Sequence, residues 1–393
     1  MVLVPKGYLF ATVRAGFKYQ DRDDLAFIFS QSPASTAAVF TKNRFQAAPI
    51  LVAKEILERR TEVRGILVNA GQANACTGET GYKNCRQTLQ MLRELLALGE
   101  DEILPASTGV IGEQFDLEKW KKAIPELKSA LGRAEPVQVA KAIMTTDTFP
   151  KLSWKRLDLR EGQITFLGLA KGAGMICPDM ATMLGFVLCD AQVDPEWWAK
   201  SLREAVDASF NAITVDGDTS TNDCVLALAN GEARVRVHPD EQGLVSNALQ
   251  EVCQDLAYQI VQDAEGGTKV IHIQVTGAKD EAQAEVAART IGHSPLVKTA
   301  LYGQDPNWGR IVAALGRSGA EFDPNQVRVE IAGITLFAQG QPVKMDIDNI
   351  LARHLRKQDV HIQVCLGNGP GEYTLLSSDL TEEYVRINAC YRT

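Results

Sequence analysis

The chain has 393 residues, 45% of them hydrophobic and 23% charged, enough to bury the core of one large or two ordinary domains. A formal net charge of −8 argues against nucleic acid as a general partner, because neutralising phosphates takes a basic surface. No apolar run approaches a membrane span, and Met1-Val2-Leu3-Val4-Pro5-Lys6 lacks the features of a signal peptide, so no membrane partner and a cytoplasmic location are expected.

Strand and helix patterns alternate along the chain. Residues 65–69 read as a buried strand, and 82–98 as a helix with Cys85, Leu89, Leu92 and Leu96 on one face. A second helical pattern at 116–131 is interrupted at Pro125. Strands at 164–169 and 182–189 flank a glycine-rich turn. A helix follows at 195–210, with Trp198, Leu202, Ala205 and Ser209 in register. Val245, Leu249, Val252, Leu256 and Ile260 form a further helical stripe. Strands are predicted at 269–275, 327–331 and 361–366, and a helix at 281–291. Mixed order of this kind implies an α/β or α+β layered protein. The turn Gly277-Ala278-Lys279-Asp280 is the best boundary, giving domains 1–277 and 278–393.

Eight cysteines include no Cys-x-x-Cys pair, and five histidines fall in no metal-ligand spacing, so no metal is expected. Gly266-Gly267-Thr268-Lys269 has the wrong order for a phosphate loop. Gly172-Ala173-Gly174 follows a strand, but Pro178 would disturb the helix of a dinucleotide fold. Asp216-Gly217-Asp218-Thr219 lacks the later glutamate of a cation loop and reads as a structural turn. No bound cofactor is expected from any of these.

The most informative stretch is Lys171-Gly172-Ala173-Gly174-Met175-Ile176-Cys177-Pro178-Asp179-Met180-Ala181-Thr182. An internal threonine has no base of its own. If the bond before it breaks, its freed α-amine supplies one. The small Ala181 leaves room to attack that bond, which makes Thr182 the candidate nucleophile.

This stretch is joined by Asn69-Ala70-Gly71-Gln72-Ala73-Asn74-Ala75, Ser107-Thr108-Gly109-Val110-Ile111-Gly112 and Met144-Thr145-Thr146-Asp147-Thr148. Further along come Thr214 through Asp223, Gly303 through Arg310, and the terminal Tyr384-Val385-Arg386-Ile387-Asn388-Ala389-Cys390-Tyr391-Arg392-Thr393. In this order and over nearly the whole chain, these motifs resemble the ornithine acetyltransferase family, the bifunctional glutamate N-acetyltransferases of arginine biosynthesis.

The resemblance implies a sheet-and-helix sandwich core with a smaller C-terminal α/β domain. It implies self-cleavage between Ala181 and Thr182 into chains 1–181 and 182–393, which stay associated as two copies of each. Thr182 would then carry the acetyl group from N-acetylornithine to glutamate, with acetyl-CoA a further donor in bifunctional members. Thr108 and Gly109 match the oxyanion donors, and Thr145, Lys171, Glu265, Asn388 and Thr393 match substrate contacts. The tail bearing Asn388 and Thr393 would be tucked into the active site. Three rivals keep parts of this picture: a self-processing amidohydrolase or aminopeptidase that passes the acyl group to water, an enzyme using Cys177 as nucleophile, and a non-catalytic amino-acid sensor.

Overall fold

The computed structural model describes residues 2–177 and 183–390; Ala181, Thr182 and Thr393 lie outside them. The chain forms two compact units. The first holds the chain up to Asn211 together with Asp218–Ile260, and the smaller second unit holds Ala212–Gly217 and the described chain from Val261. The fold is a mixed, layered α/β structure with one sheet in each unit.

In the first unit the elements run β1 (Tyr8–Val13), β2 (Leu25–Phe40), α1 (Ala48–Arg59), β3 (Glu62–Gln72), α2 (Gly78–Leu96) and β4 (Ile103–Val110). They continue with α3 (Leu117–Ala130), α4 (Pro136–Ala142), β5 (Lys151–Leu159), β6 (Gly162–Lys171), β7 (Leu184–Cys189) and α5 (Pro195–Asp207). After the short β8 (Ile213–Thr214), which belongs to the second unit, come β9 (Cys224–Ala229) and α6 (Gln242–Gln262). Ladder order is β4-β3-β2-β9-β7-β6-β5, with β1 also on β2.

Strand β2 pairs with β1 and β3 early, breaks register between Phe29 and Ala34, and pairs with β9 from Ser35 to Phe40. Pro33 falls in that irregular segment, where a missing N–H costs no ladder bond. The bend has a large consequence. Thr108 on β4 and Lys171 on β6 are five strand steps apart in ladder order, about 24 Å in a flat sheet. Their side chains nevertheless meet at 3.3 Å, so the sheet folds back across itself. One apolar core joins Ile28, Ile66 and Val68 to Leu167, Phe186 and Leu226.

Every residue of β7 and β9 is buried, which is why both read as continuous apolar runs rather than alternating strands. Helix α5 starts at Pro195, with the Asp194 carboxylate accepting the Trp197 N–H at 2.9 Å. Its Trp198 indole donates to the Ala227 carbonyl, fixing the helix on β9. Pro125 does not interrupt α3: it lies on the exposed face, where water can satisfy the carbonyl it orphans.

The second unit contains β10 (Val270–Ala278), α7 (Glu281–Gly292), α8 (Pro295–Tyr302), α9 (Trp308–Gly316), β11 (Arg328–Ile331) and β12 (Ile334–Ala338). It ends with β13 (Gln341–Pro342), α10 (Ile347–Leu355), β14 (Asp359–Cys365), β15 (Gly371–Ser378) and α11 (Glu382–Cys390). The sheet order is β13-β12-β11-β14-β10-β15-β8. Strand β14 alternates buried and open residues, so its apolar side meets the core that includes α7 while the other side stays polar. The units divide between Ile260 and Val261, not at the Gly277 turn. That turn joins β10, a central strand, to α7, which packs on it, so both belong to one core.

Candidate active site

Lys171 ends β6 and pairs across the ladder with Leu184, the first residue of β7. The two ends of the loop that carries the Thr182 position are therefore held side by side. The Lys171 side chain is only 7% exposed, and its ammonium is 3.9 Å from Asp147 Oδ2. It donates to Thr145 Oγ1 at 2.8 Å and to Thr108 Oγ1 at 3.3 Å. An ammonium can only donate, so the Thr108 hydroxyl must direct its own proton elsewhere. A cation held against a hydroxyl in this way leaves that hydroxyl poised as a donor.

Thr108 and Gly109 lie near the end of β4, paired with Ala70 and Gly71 of β3. The sequence there has turn chemistry, yet the segment is a strand through Val110, because parallel pairing with β3 supplies its backbone bonds. Gly109 sits at φ +132°, and a Cβ there would lie 2.2 Å from the Gly71 carbonyl carbon. Only glycine fits, which keeps the backbone beside Thr108 bare.

Asp147 organises the cluster. Its side chain is wholly buried and forms an ion pair with Lys151 at 2.7 Å. It also accepts the Gly172 N–H at 2.6 Å and the Thr145 N–H at 3.0 Å. Burial pushes its carboxyl up, but Lys171, Lys151 and the hydrogen bonds outweigh that and hold it well below the usual carboxylate range. A second carboxyl behaves oppositely. Asp223, just before β9, is raised well above the ordinary value by burial, which the Met183 N–H, Lys171 and Ser220 offset only in part. The motif runs contained Asp147 and Asp223, but nothing in their spacing singled them out from neighbouring loop polars.

In the second unit Glu265, half-buried, accepts from Asn388 Nδ2 at 2.8 Å. Gly266 has φ +66°, and a Cβ there would lie 2.6 Å from the Tyr384 nitrogen, so the glycine lets α11 start against this turn. The N–H groups of Thr268 and Lys269, which a phosphate loop would offer to a ligand, are bonded to Asp379 at 2.7 and 3.0 Å. Helix α11, which carries Asn388, has no buried residue through Cys390. The described part of the tail is thus an exposed helix, Val385 included, and the expected tuck of Thr393 into the site falls outside the described residues.

Of the cysteines, Cys85, Cys189, Cys224 and Cys253 are buried, and burial pushes the Cys85 and Cys253 thiols up to about 12. Cys177 is partly exposed and its carbonyl accepts the Thr219 hydroxyl. Among the described residues there is no group of three His, Cys, Asp or Glu suited to a metal ion, and no helix long and apolar enough to cross a membrane.

A family model described as the ArgJ family matches residues 9–393. The chain is 53% identical over 389 residues, 99% of each sequence, to the arginine biosynthesis bifunctional protein ArgJ of Nitratidesulfovibrio vulgaris. It is 45% identical over 391 residues, again 99% of each, to the protein of that name from Geobacter sulfurreducens. The crystal structure of the arginine biosynthesis bifunctional protein ArgJ from Bacillus halodurans matches with a TM-score of 0.51 at 42% identity, over 53% of this chain and 100% of that one. Similarity of this depth over nearly the full length makes the chain a member of the ArgJ family, and an enzyme.

Proposed function

We propose that this enzyme transfers an acetyl group from N-acetylornithine to glutamate through an acetyl ester on Thr182. The observation that carries the reading is the Lys171–Thr108 hydrogen bond, formed where the β6–β7 ladder anchors both ends of the Thr182 loop. It couples a poised hydroxyl donor and the bare Gly109 backbone to the loop that would present the nucleophile.

Self-cleavage comes first: Thr182 Oγ attacks the Ala181 carbonyl, and water opens the resulting ester, freeing the Thr182 α-amine. With an ordinary pKa of about 7.7–8.0, that amine is a competent base near neutrality. It takes the Oγ proton as Oγ attacks the acetyl carbonyl of N-acetylornithine. Thr108 and the Gly109 N–H stabilise the oxyanion, the amide C–N bond breaks, and the proton leaves with ornithine. The amine of glutamate then attacks the ester, the α-amine takes its proton and returns it to Oγ, and N-acetylglutamate leaves. One amide is made for each one broken, so no metal or tightly held cofactor is needed. Acetyl-CoA could serve as an alternative donor to the same threonine.

In this reading Thr145, Lys171, Glu265, Asn388 and Thr393 are the substrate contacts that the resemblance implies, the carboxylate of Glu265 being suited to the side-chain ammonium of ornithine. The working form is two copies each of chains 1–181 and 182–393, in the cytoplasm. The test is intact mass under denaturing conditions, before and after N-acetylornithine. The expected result is two fragments meeting between Ala181 and Thr182, with an acetyl-sized gain on the Thr182 fragment. Thr182→Ala should abolish both events, and an uncleaved Thr182→Ala chain with full transferase activity would sink the mechanism.

A further inference from the structure

The motif that ends in Asn222-Asp223 takes no part in the chemistry above, yet both residues are buried between segments that do. Asn222 Nδ2 donates to the Ser107 carbonyl at 2.9 Å and to the Ala73 carbonyl at 2.6 Å. Ser107 immediately precedes Thr108. The Asn222 side-chain oxygen is fixed in turn by the Thr221 hydroxyl at 2.7 Å. Asp223 grips a different segment: its carboxyl accepts the Met183 N–H, and the next residue, Cys224, donates its N–H to the Met183 carbonyl at 3.2 Å. The Met183 nitrogen is covalently bonded to the carbonyl carbon of residue 182.

Neighbouring α-carbons are about 3.8 Å apart, so a rigid dipeptide works as a ruler between the two backbones it holds. A merely structural turn does not require this arrangement. Asp223 Oδ2 has no hydrogen-bond partner among the described residues, and burying an unsatisfied carboxyl oxygen is a cost that an apolar residue would avoid. The ladder alone fixes β7 on β9 only from Leu184 onward.

We propose that Asn222 and Asp223 are positioning residues that set the distance between residue 182 and the Thr108–Gly109 donors. This rests on the reading of Thr182 as the nucleophile. Neither side chain needs to touch substrate; each holds a backbone group one residue from an atom that reacts or stabilises.

The test compares the full wild-type chain with Asn222→Ala, Asp223→Ala and Asp223→Asn. Self-cleavage rate, kcat, KM and hydrogen exchange of the peptide containing Met183 would be measured. An ångström of misplacement is enough to cost about 10²-fold, so both alanine variants should lose about that in kcat and in cleavage rate while KM stays put. Asp223→Asn keeps an acceptor for the Met183 N–H and should stay close to wild type with an unchanged pH profile. The Met183 peptide should exchange slowly in wild type and Asp223→Asn, and fast in Asp223→Ala. Folded alanine variants with wild-type kcat, or an Asp223→Asn variant as slow as Asp223→Ala, would overturn the proposal. If an alanine variant does not fold, Asn222→Ser carries the same expectation, and wild-type kcat there overturns it. A wild-type chain that neither cleaves nor takes up acetyl sinks the functional reading instead, and fast exchange at its Met183 peptide would then sink the clamp as well.

Discussion

Each unit buries lysine, and the two treat the charge differently. In the first, Lys151 and Lys171 converge on Asp147 at 2.7 and 3.9 Å, so every buried ammonium there faces a carboxylate. In the second, Lys298 is 4% exposed and donates to the Val215 carbonyl and, at 3.5 and 3.4 Å, to the Ser377 and Ser378 hydroxyls. Burial pulls its pKa down to about 8, against the weaker opposite pull of Asp216 and Asp379. Carbonyls and hydroxyls solvate a cation but do not neutralise it. The difference is one of compensation: the first cluster sets an anion against its cations, whereas the second surrounds a cation with neutral oxygens.

The sharpest way to break that comparison is to remove the shared carboxylate. Asp147→Ala leaves Lys151, with no exposed side-chain surface, without its anion and should destabilise the fold by about 3–5 kcal/mol, read by denaturant unfolding. The pH dependence has a definite sign. The folded pKa of Asp147 lies below the ordinary one, so its stabilisation is present above about pH 4 and drains away on acidification toward the folded value. Asp147→Asn should flatten the acid limb of the stability curve. Next comes the ammonium itself. Lys171→Met keeps the length of the side chain but no longer orients Thr108, and should lower the rate of acetyl-enzyme formation about 10²–10³-fold, the usual effect of losing an oxyanion donor. A single-turnover assay with N-acetylornithine reads this directly, and a variant within a few-fold of wild type would show that Thr108 needs no cation.

The cluster was only half legible in the sequence, and the reasons are physical. Strand β7 announced itself through its unbroken apolar run, and α6 through its buried stripe from Val245 to Ile260, whereas the equally apolar β9 was not singled out. Strand β2 did not announce itself, because Pro33 and its polar neighbours sit in the bulge that folds the sheet. Without that fold, nothing local brings Lys171 to Thr108 across five strand steps. Thr108, Thr145 and Lys171 could be named by resemblance, but Asp147, which holds them, looks like any polar residue of a loop. Asn222 and Asp223 were hidden for the same reason: a side chain that grips a distant backbone carries no periodic signal.

The second unit supplies the converse test. Lys298 has a folded pKa of about 8 against an ordinary 10.5, so the folded state binds fewer protons between those values. Stability therefore rises with pH through that window, and the full penalty of burying the cation is felt below it. A drop from 10.5 to about 8 corresponds to about 3 kcal/mol, which bounds the rise. Lys298→Met removes the titrating group, so its curve should lack the rise that wild type shows from pH 8 to pH 10.5. Parallel curves for the two proteins would mean that Lys298 is solvated as well as Lys171 is paired, and the contrast between the units would disappear.

Glu265 sharpens the comparison at its weak end. It is half-buried, and its partner Asn388 is exposed and uncharged, so its charge is neither paired like that of Asp147 nor sealed in like that of Lys298. Glu265→Gln should therefore change stability by no more than about 0.5 kcal/mol, as surface substitutions do. A hydrogen bond between a carboxylate and an ammonium is worth about 1.5–3 kcal/mol. If Glu265 recognises the side-chain ammonium of ornithine, the variant should raise KM for N-acetylornithine ten- to a hundredfold. The KM for glutamate, which has no such ammonium, should hold or fall as the repulsion of its own carboxylate is relieved. Equal increases for both substrates would mean that Glu265 acts through the Gly266 turn it precedes, and that selectivity resides elsewhere.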